Sequence, residues 1–144
     1  MNVGIDPGRW KIGVAFAEDG ALLFSAIVPA GERAVIIKAF ESGAWELLEG
    51  WRAEGGAEVI RGRAAESVYI GDGTSAKEFF QEFPFKYTKI DEYGTTLAAR
   101  KIYWRLHPPS GIMKLVPLSL RTPPRNIDDL AAYAIMLRAE NRLD

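Results

Sequence analysis

Two turn signals within the first twenty residues constrain the fold more than any other feature. Pro7-Gly8 breaks the run Asn2-Val3-Gly4-Ile5-Asp6, and Asp19-Gly20 separates residues 11–17 from residues 21–28. Asp-Gly between apolar runs is a strong hairpin signal. The chain is therefore expected to open as three consecutive strands in an antiparallel meander, which Pro29 stops.

The pattern then changes to strands alternating with helices. Ile36/Ile37, Phe40, Ala44, Leu47/Leu48 and Trp51 recur at helical spacing, with Gly43 inside the run and Gly55-Gly56 ending it. A glycine within a helix is less favourable than Ala by ~1 kcal/mol. Residues 67–70 read as a strand, and Gly71-Asp72-Gly73-Thr74 turns out of it. Ser75 is placed to cap a helix that Pro84 terminates. Residues 86–90 form the next strand, followed by a helix from about Thr96 and a last helix capped by Asn126. The predicted order is β-β-β-α-β-α-β-α-α. This is an α/β chain with a mixed five-stranded sheet and helices on both faces. With 144 residues, it is expected to be one domain, residues 1–144.

The absence of Cys excludes a disulfide scaffold, a thiolate zinc site, a cysteine nucleophile and an iron–sulfur cluster. His107 is the only histidine, so one chain cannot build a multi-histidine metal site. The apolar run over residues 131–137, even with Leu130 before it, falls far short of a membrane span. Asp6 and Pro7 interrupt any apolar leader, and the expected compartment is the cytoplasm. No membrane partner is expected.

The acids fall at structurally meaningful places. Asp6 ends the first strand, Asp72 follows the fourth, and Asp91-Glu92 follow the fifth. In an α/β sheet, the carboxyl ends of parallel strands line the ligand crevice. If those three strands run parallel, Asp6, Asp72 and Glu92 share one sheet edge. Asp128 and Asp129 open the last helix. Each acid also has an ordinary structural role: a turn, a strand end or a helix first turn. Carboxylates gathered at one place repel one another unless a cation neutralises them. Hard cations such as Mg²⁺ or Mn²⁺ suit oxygen donors. Such a site serves the metal-dependent hydrolysis of phosphodiesters.

Three motifs occur in order along the chain. They are Gly4-Ile5-Asp6-Pro7-Gly8 with Gly13-Val14-Ala15, Asp91-Glu92-Tyr93-Gly94-Thr95-Thr96 with Ala99-Arg100, and Ile127-Asp128-Asp129-Leu130-Ala131-Ala132. Together they resemble the RNase H-like superfamily and, within it, the YqgF family of resolvase-like nucleases. The intervening Gly71-Asp72-Gly73-Thr74, Tyr103-Trp104, His107-Pro108-Pro109-Ser110-Gly111 and Arg121-Thr122-Pro123-Pro124 resemble a cyanobacterial-type subgroup. The resemblance spans nearly the whole chain. It implies an RNase H-like nuclease domain with Asp6, Glu92 and Asp128 as catalytic metal ligands. Asp129 then lies behind them; Asp72, at the same sheet edge, is the replacement candidate if Glu92 points elsewhere. It further implies Mg²⁺ (or Mn²⁺) as cofactor and structured RNA as substrate, specifically the 16S rRNA precursor in ribosome biogenesis. Branched DNA, as in a Holliday junction resolvase, is the alternative. A nucleic-acid-binding module without catalysis is a further one, and the chain acts as a monomer or homodimer. Tyr93 and Gly94 depart from the family pattern, which has Arg at the first of these positions. Arg100 or Arg121 are candidates to replace that Arg.

The whole-chain formal charge of −1 conceals a segregation. Between Tyr93 and Asn126 there are six basic residues and no acid: Arg100, Lys101, Arg105, Lys114, Arg121 and Arg125. This stretch joins two candidate metal ligands. Arg9 and Lys11, just after Asp6, extend the same basic set for phosphate contacts. Tyr103, Trp104 and His107 are candidates for base stacking, although Tyr103 also fits the apolar face of its helix. Residues 107–126 hold five of the eight prolines, a long irregular connection of the kind associated with function.

Overall fold

The computed structural model describes residues 1–144. Strands β1 (Asn2–Pro7), β2 (Lys11–Glu18) and β3 (Ala21–Pro29) form the expected antiparallel meander. They are followed by α1 (Arg33–Ser42), β4 (Arg52–Gly55), β5 (Ser67–Gly71), α2 (Lys77–Glu82) and β6 (Thr88–Ile90). The chain ends with α3 (Thr95–Leu106) and α4 (Asp128–Ala139). One mixed sheet runs in the order β4-β3-β2-β1-β5-β6, with β1, β5 and β6 mutually parallel.

The two faces of the sheet are packed differently because alternate residues differ in size. Val3, Ile5, Ile12, Val14 and Phe16 point to one face and join α1, α2 and the turn around Trp45 in the larger core. There Phe16 stacks on Phe24 at 5.7 Å and meets Trp45 at 5.0 Å. Burying each such side chain contributes roughly 1.5–3 kcal/mol. The opposite face carries Gly4, Gly13, Ala15 and Ala17, against which α4 lies close. A Cβ at Gly4 would collide with the backbone carbonyl of Ala132. Leu130 to Leu137 of α4 are all buried, because the sheet covers one side of the helix and α3 the other. A helix enclosed in this way is apolar all round, which accounts for the apolar run 131–137. No helix is long and apolar enough to cross a membrane.

Several sequence expectations are corrected. The sheet has six strands rather than five. The added edge strand β4 pairs with β3 just where the sequence pattern dissolves into Gly55-Gly56. The helical run over residues 36–51 is not one helix. Gly43 takes φ +70° and ends α1, and residues 45–51 form 3₁₀ turns. The glycine is a left-handed C-terminal stop rather than a defect within a helix. Neither Ser75 nor Asn126 caps a helix through its side chain. The predicted strand 86–90 shortens to Thr88–Ile90.

Candidate active site

Parallel pairing of β1, β5 and β6 brings their carboxyl ends to one edge of the sheet. Asp6 is the penultimate residue of β1, and Glu92 lies two residues beyond β6. Asp128 is the first residue of α4. Its approach to Asp6 depends on Gly13, which pairs with Asp6 across β1 and β2. A Cβ at Gly13 would overlap the Asp128 carbonyl and lie 2.8 Å from the Asp129 nitrogen. The bare glycine thus lets the first turn of α4 sit directly on β2, beside Asp6.

Glu92 is seated over two other glycines. Its Oε2 would lie 2.7 Å from a Cβ at Gly71, and its Oε1 overlies Gly73. The turn that carries it is held from three sides. Arg138 Nη1 donates to the Asp91 carbonyl at 2.6 Å, and the Tyr93 amide donates to Asp91 Oδ1 at 3.0 Å. Thr95 donates to the Glu92 carbonyl through its amide, at 3.0 Å, and its hydroxyl, at 2.8 Å. Gly94 has φ +77°, a conformation glycine adopts without strain. Tyr93 is 85% exposed.

Burial pushes the Asp6 carboxyl up to about 7; the Glu92 charge, a hydrogen bond with Glu92 and the Asp128 charge push it the same way. Asp6 therefore holds its proton to a higher pH than an ordinary aspartate. Desolvation and like charges both disfavour the ionised form. Asp6 and Asp128 line an open cleft of about 590 Å³, walled by Thr96, Arg100 and the chain from Thr122 to Ile127. All the donors are carboxylate oxygens, the chemistry that suits hard divalent cations. As they stand, no three His, Asp or Glu side chains form a ready-made cation cage. Glu92 and Asp128 each act electrostatically on Asp6.

The remaining candidate residues divide sharply. Asp72 is exposed, and its amide donates to the Ile90 carbonyl at 3.0 Å, joining β5 to β6. Asp129 is fully buried on the sheet side of α4. It accepts from Ser25 Oγ at 2.6 Å and from Arg125 Nη1 at 2.8 Å. Arg125 Nη2 also donates to Glu54 at 2.6 Å, and His107 Nε2 meets both Glu54 oxygens at 3.0 and 2.9 Å. Glu54 thereby ties together the two ends of the proline-rich segment. Arg121 donates to the carbonyls of Val116 and Lys114, holding the middle of that segment. Arg105 makes an ion pair of 3.5 Å with Asp144. Arg100 faces the cleft, Lys101 and Lys114 are exposed, and Lys11 is half-buried. Arg9 sits over the Trp10 ring, 5.0 Å from its centroid. Tyr103 is buried, so it is a core residue.

Sequence reading did not find Glu54, Ser25 or the seating roles of Gly13, Gly71 and Gly73. The first two lie far in sequence from their partners. The glycines are visible in the sequence, but what passes over them is not. No protein-family model and no curated protein matches the chain.

Proposed function

We propose that the chain is a divalent-cation-dependent nuclease acting on structured nucleic acid, with an RNase H-like arrangement and structured RNA as its substrate. Processing of a 16S rRNA precursor is the reaction the resemblance implies. One observation carries the reading: Glu92 and Asp128, far from Asp6 in sequence, both act on its carboxyl at the carboxyl edge of the parallel strands, where Asp6 and Asp128 line an open cleft. The order of elements adds support, since it departs from the expected one only by the edge strand β4.

Asp6, Glu92 and Asp128 would hold Mg²⁺ or Mn²⁺. Such a cation, when bound, supplies positive charge that activates water and offsets charge developing on the phosphate. Asp6 must release its proton before it can act as a ligand, so cation uptake is coupled to pH. Arg100, on the wall of the cleft, is placed to hold a phosphate beside the scissile one. The Arg125–Asp129–Ser25 contacts fix the start of α4 and with it the direction of Asp128.

The test is cleavage of a structured precursor RNA by the purified chain with Mg²⁺, alongside Asp6→Asn and a synthetic four-way DNA junction. Mg²⁺-dependent RNA cleavage that Asp6→Asn abolishes supports the proposal. Paired cuts in the junction, with the RNA untouched, would replace it by the resolvase reading. Binding without cleavage of either substrate would leave a binding module.

A further inference from the structure

Trp10 is the most exposed tryptophan of the chain, at 73%, yet its backbone is firmly held. The Gly8 amide donates to the Lys11 carbonyl at 2.9 Å, and the Trp10 carbonyl accepts from the Ala30 amide at 2.8 Å. A Cβ at Gly8 would lie 2.5 Å from the Lys11 carbonyl oxygen, so the turn closes tightly only with glycine there. A rigid turn therefore holds a large aromatic ring out in water. Arg9 covers part of that ring by a cation–π contact at 5.0 Å and leaves most of it open.

The position of the ring relative to the carboxylates gives it a use. Successive strand residues point to opposite faces of a sheet. Asp6 opens onto the cleft bounded by α3 and α4, whereas Pro7 and Gly8 line a second cleft of about 510 Å³ on the other face. Arg9, Trp10, Arg33, Thr74, Ser75 and Lys77 also line that second cleft. Arg33 is held by Glu82 at 2.6 Å, but neither Arg9 nor Lys77 takes part in an ion pair, and both are exposed. Two clefts thus flank the carboxylates across the sheet edge, and the second presents an aromatic ring together with two cations, Arg9 and Lys77, that are in no ion pair, against one exposed acid, Glu78, which lies 3.9 Å from Arg33. Aromatic stacking with adjacent Lys and Arg is how proteins hold unpaired nucleotides.

We propose that the second cleft is a nucleotide subsite, in which Trp10 stacks on an unpaired base of the bound strand while Arg9 and Lys77 hold its flanking phosphates. The strand then crosses the sheet edge with its scissile phosphate at Asp6 and continues past Arg100. This subsite rests on the nuclease reading and deepens it, because it requires an unpaired nucleotide next to the cut.

The test measures the affinity of the purified chain for fluorescently labelled oligouridylate RNA by anisotropy. Trp10→Ala is expected to weaken binding about tenfold, within the range for loss of one stacked base, and Trp10→Phe to recover most of it. Because the ring is exposed, Trp10→Ala should melt with the wild type, so weakened binding is not loss of fold. Lys77→Gln should lower the salt dependence of binding by about one phosphate contact. Unchanged affinity in Trp10→Ala, with Asp6-dependent cleavage intact, overturns the subsite and leaves the nuclease reading standing. A wild type that binds no strand overturns both. Displacement of the strand by uridine monophosphate at equal nucleotide concentration overturns the strand assignment in favour of a small nucleotide ligand.

Discussion

Replacing Asp6 by Asn should stabilise the cation-free protein at alkaline pH, which is the reverse of the usual effect of substituting a strand residue. The Asp6 carboxyl is raised from 3.8 to about 7, chiefly by burial and then by Glu92 and Asp128. At about 1.36 kcal/mol per pH unit, that difference corresponds to ~4 kcal/mol. The sign follows from proton counts. Between these two values the folded chain holds a proton that the unfolded chain has lost, so stability falls as pH rises. The stabilising contribution is complete below about 4 and gone above about 7. Asn cannot ionise and escapes the loss. Urea unfolding followed by circular dichroism, in chelator, should show wild type and Asp6→Asn similar at about pH 4 and diverging toward pH 8. The variant should lead by up to ~4 kcal/mol there. Adding Mn²⁺ at the higher pH should then reverse the order. A cation that binds only the folded chain stabilises it by ~2.7 kcal/mol at a hundredfold excess over its dissociation constant. Only the wild type has all three carboxylates to bind it. Parallel pH profiles for the two proteins would refute the electrostatic account of the site. A Mn²⁺ response equal in both would refute Asp6 as a ligand.

Three further substitutions probe how the site is built. Gly13→Ala puts a methyl group into the backbone of Asp128 and should destabilise by ~1–3 kcal/mol while sharply reducing cleavage, as read by urea unfolding and RNA cleavage together. Gly73→Ala meets only the mobile end of Glu92, so it should alter the unfolding midpoint little and still lower the cleavage rate more than about tenfold. Arg125→Ala leaves Asp129 buried without its cation and should destabilise by ~3–5 kcal/mol in thermal unfolding, with partial recovery in the double variant that adds Asp129→Asn.

How much of this was legible in the sequence depended on the range of the interactions. The meander was legible because Pro7-Gly8 and Asp19-Gly20 mark their own turns locally, and the parallel pairing of β1, β5 and β6 followed from strands alternating with helices. β4 was not legible. Arg52-Ala53-Glu54-Gly55 has no alternating apolar pattern, and it becomes a strand only because β3 offers an open edge. At the site, topology alone put Asp6, Asp72 and Glu92 at one edge, and Asp128 was added to them only by the family resemblance. The residue pattern alone did not separate Asp129 from its neighbour; the resemblance put Asp129 behind Asp128, and in the fold it is the buried one of the pair. One helical step of about 100° separates a carboxylate beside Asp6 from one buried against Ser25.

The same distinction decides what the basic segment does. From the sequence, the six cations between Tyr93 and Asn126 form one undivided phosphate surface. In the fold, Arg125 is taken up by Asp129 and Glu54, and Arg121 by two backbone carbonyls of its own segment. These two guanidiniums shape the proline-rich connection. Arg100 faces the cleft, and Lys101 and Lys114 are open to solvent. Equal charge should therefore give unequal effects on binding. Each phosphate contact on a single strand contributes about 0.7 to the slope of log affinity against log salt. Arg100→Gln should lower that slope by about this amount. Arg121→Gln should leave the slope unchanged and instead loosen residues 107–126, which amide exchange over that segment would report. If Arg121→Gln lowers the slope as much as Arg100→Gln does, its guanidinium meets phosphate in the complex. The segment must then release its internal hydrogen bonds when the strand binds.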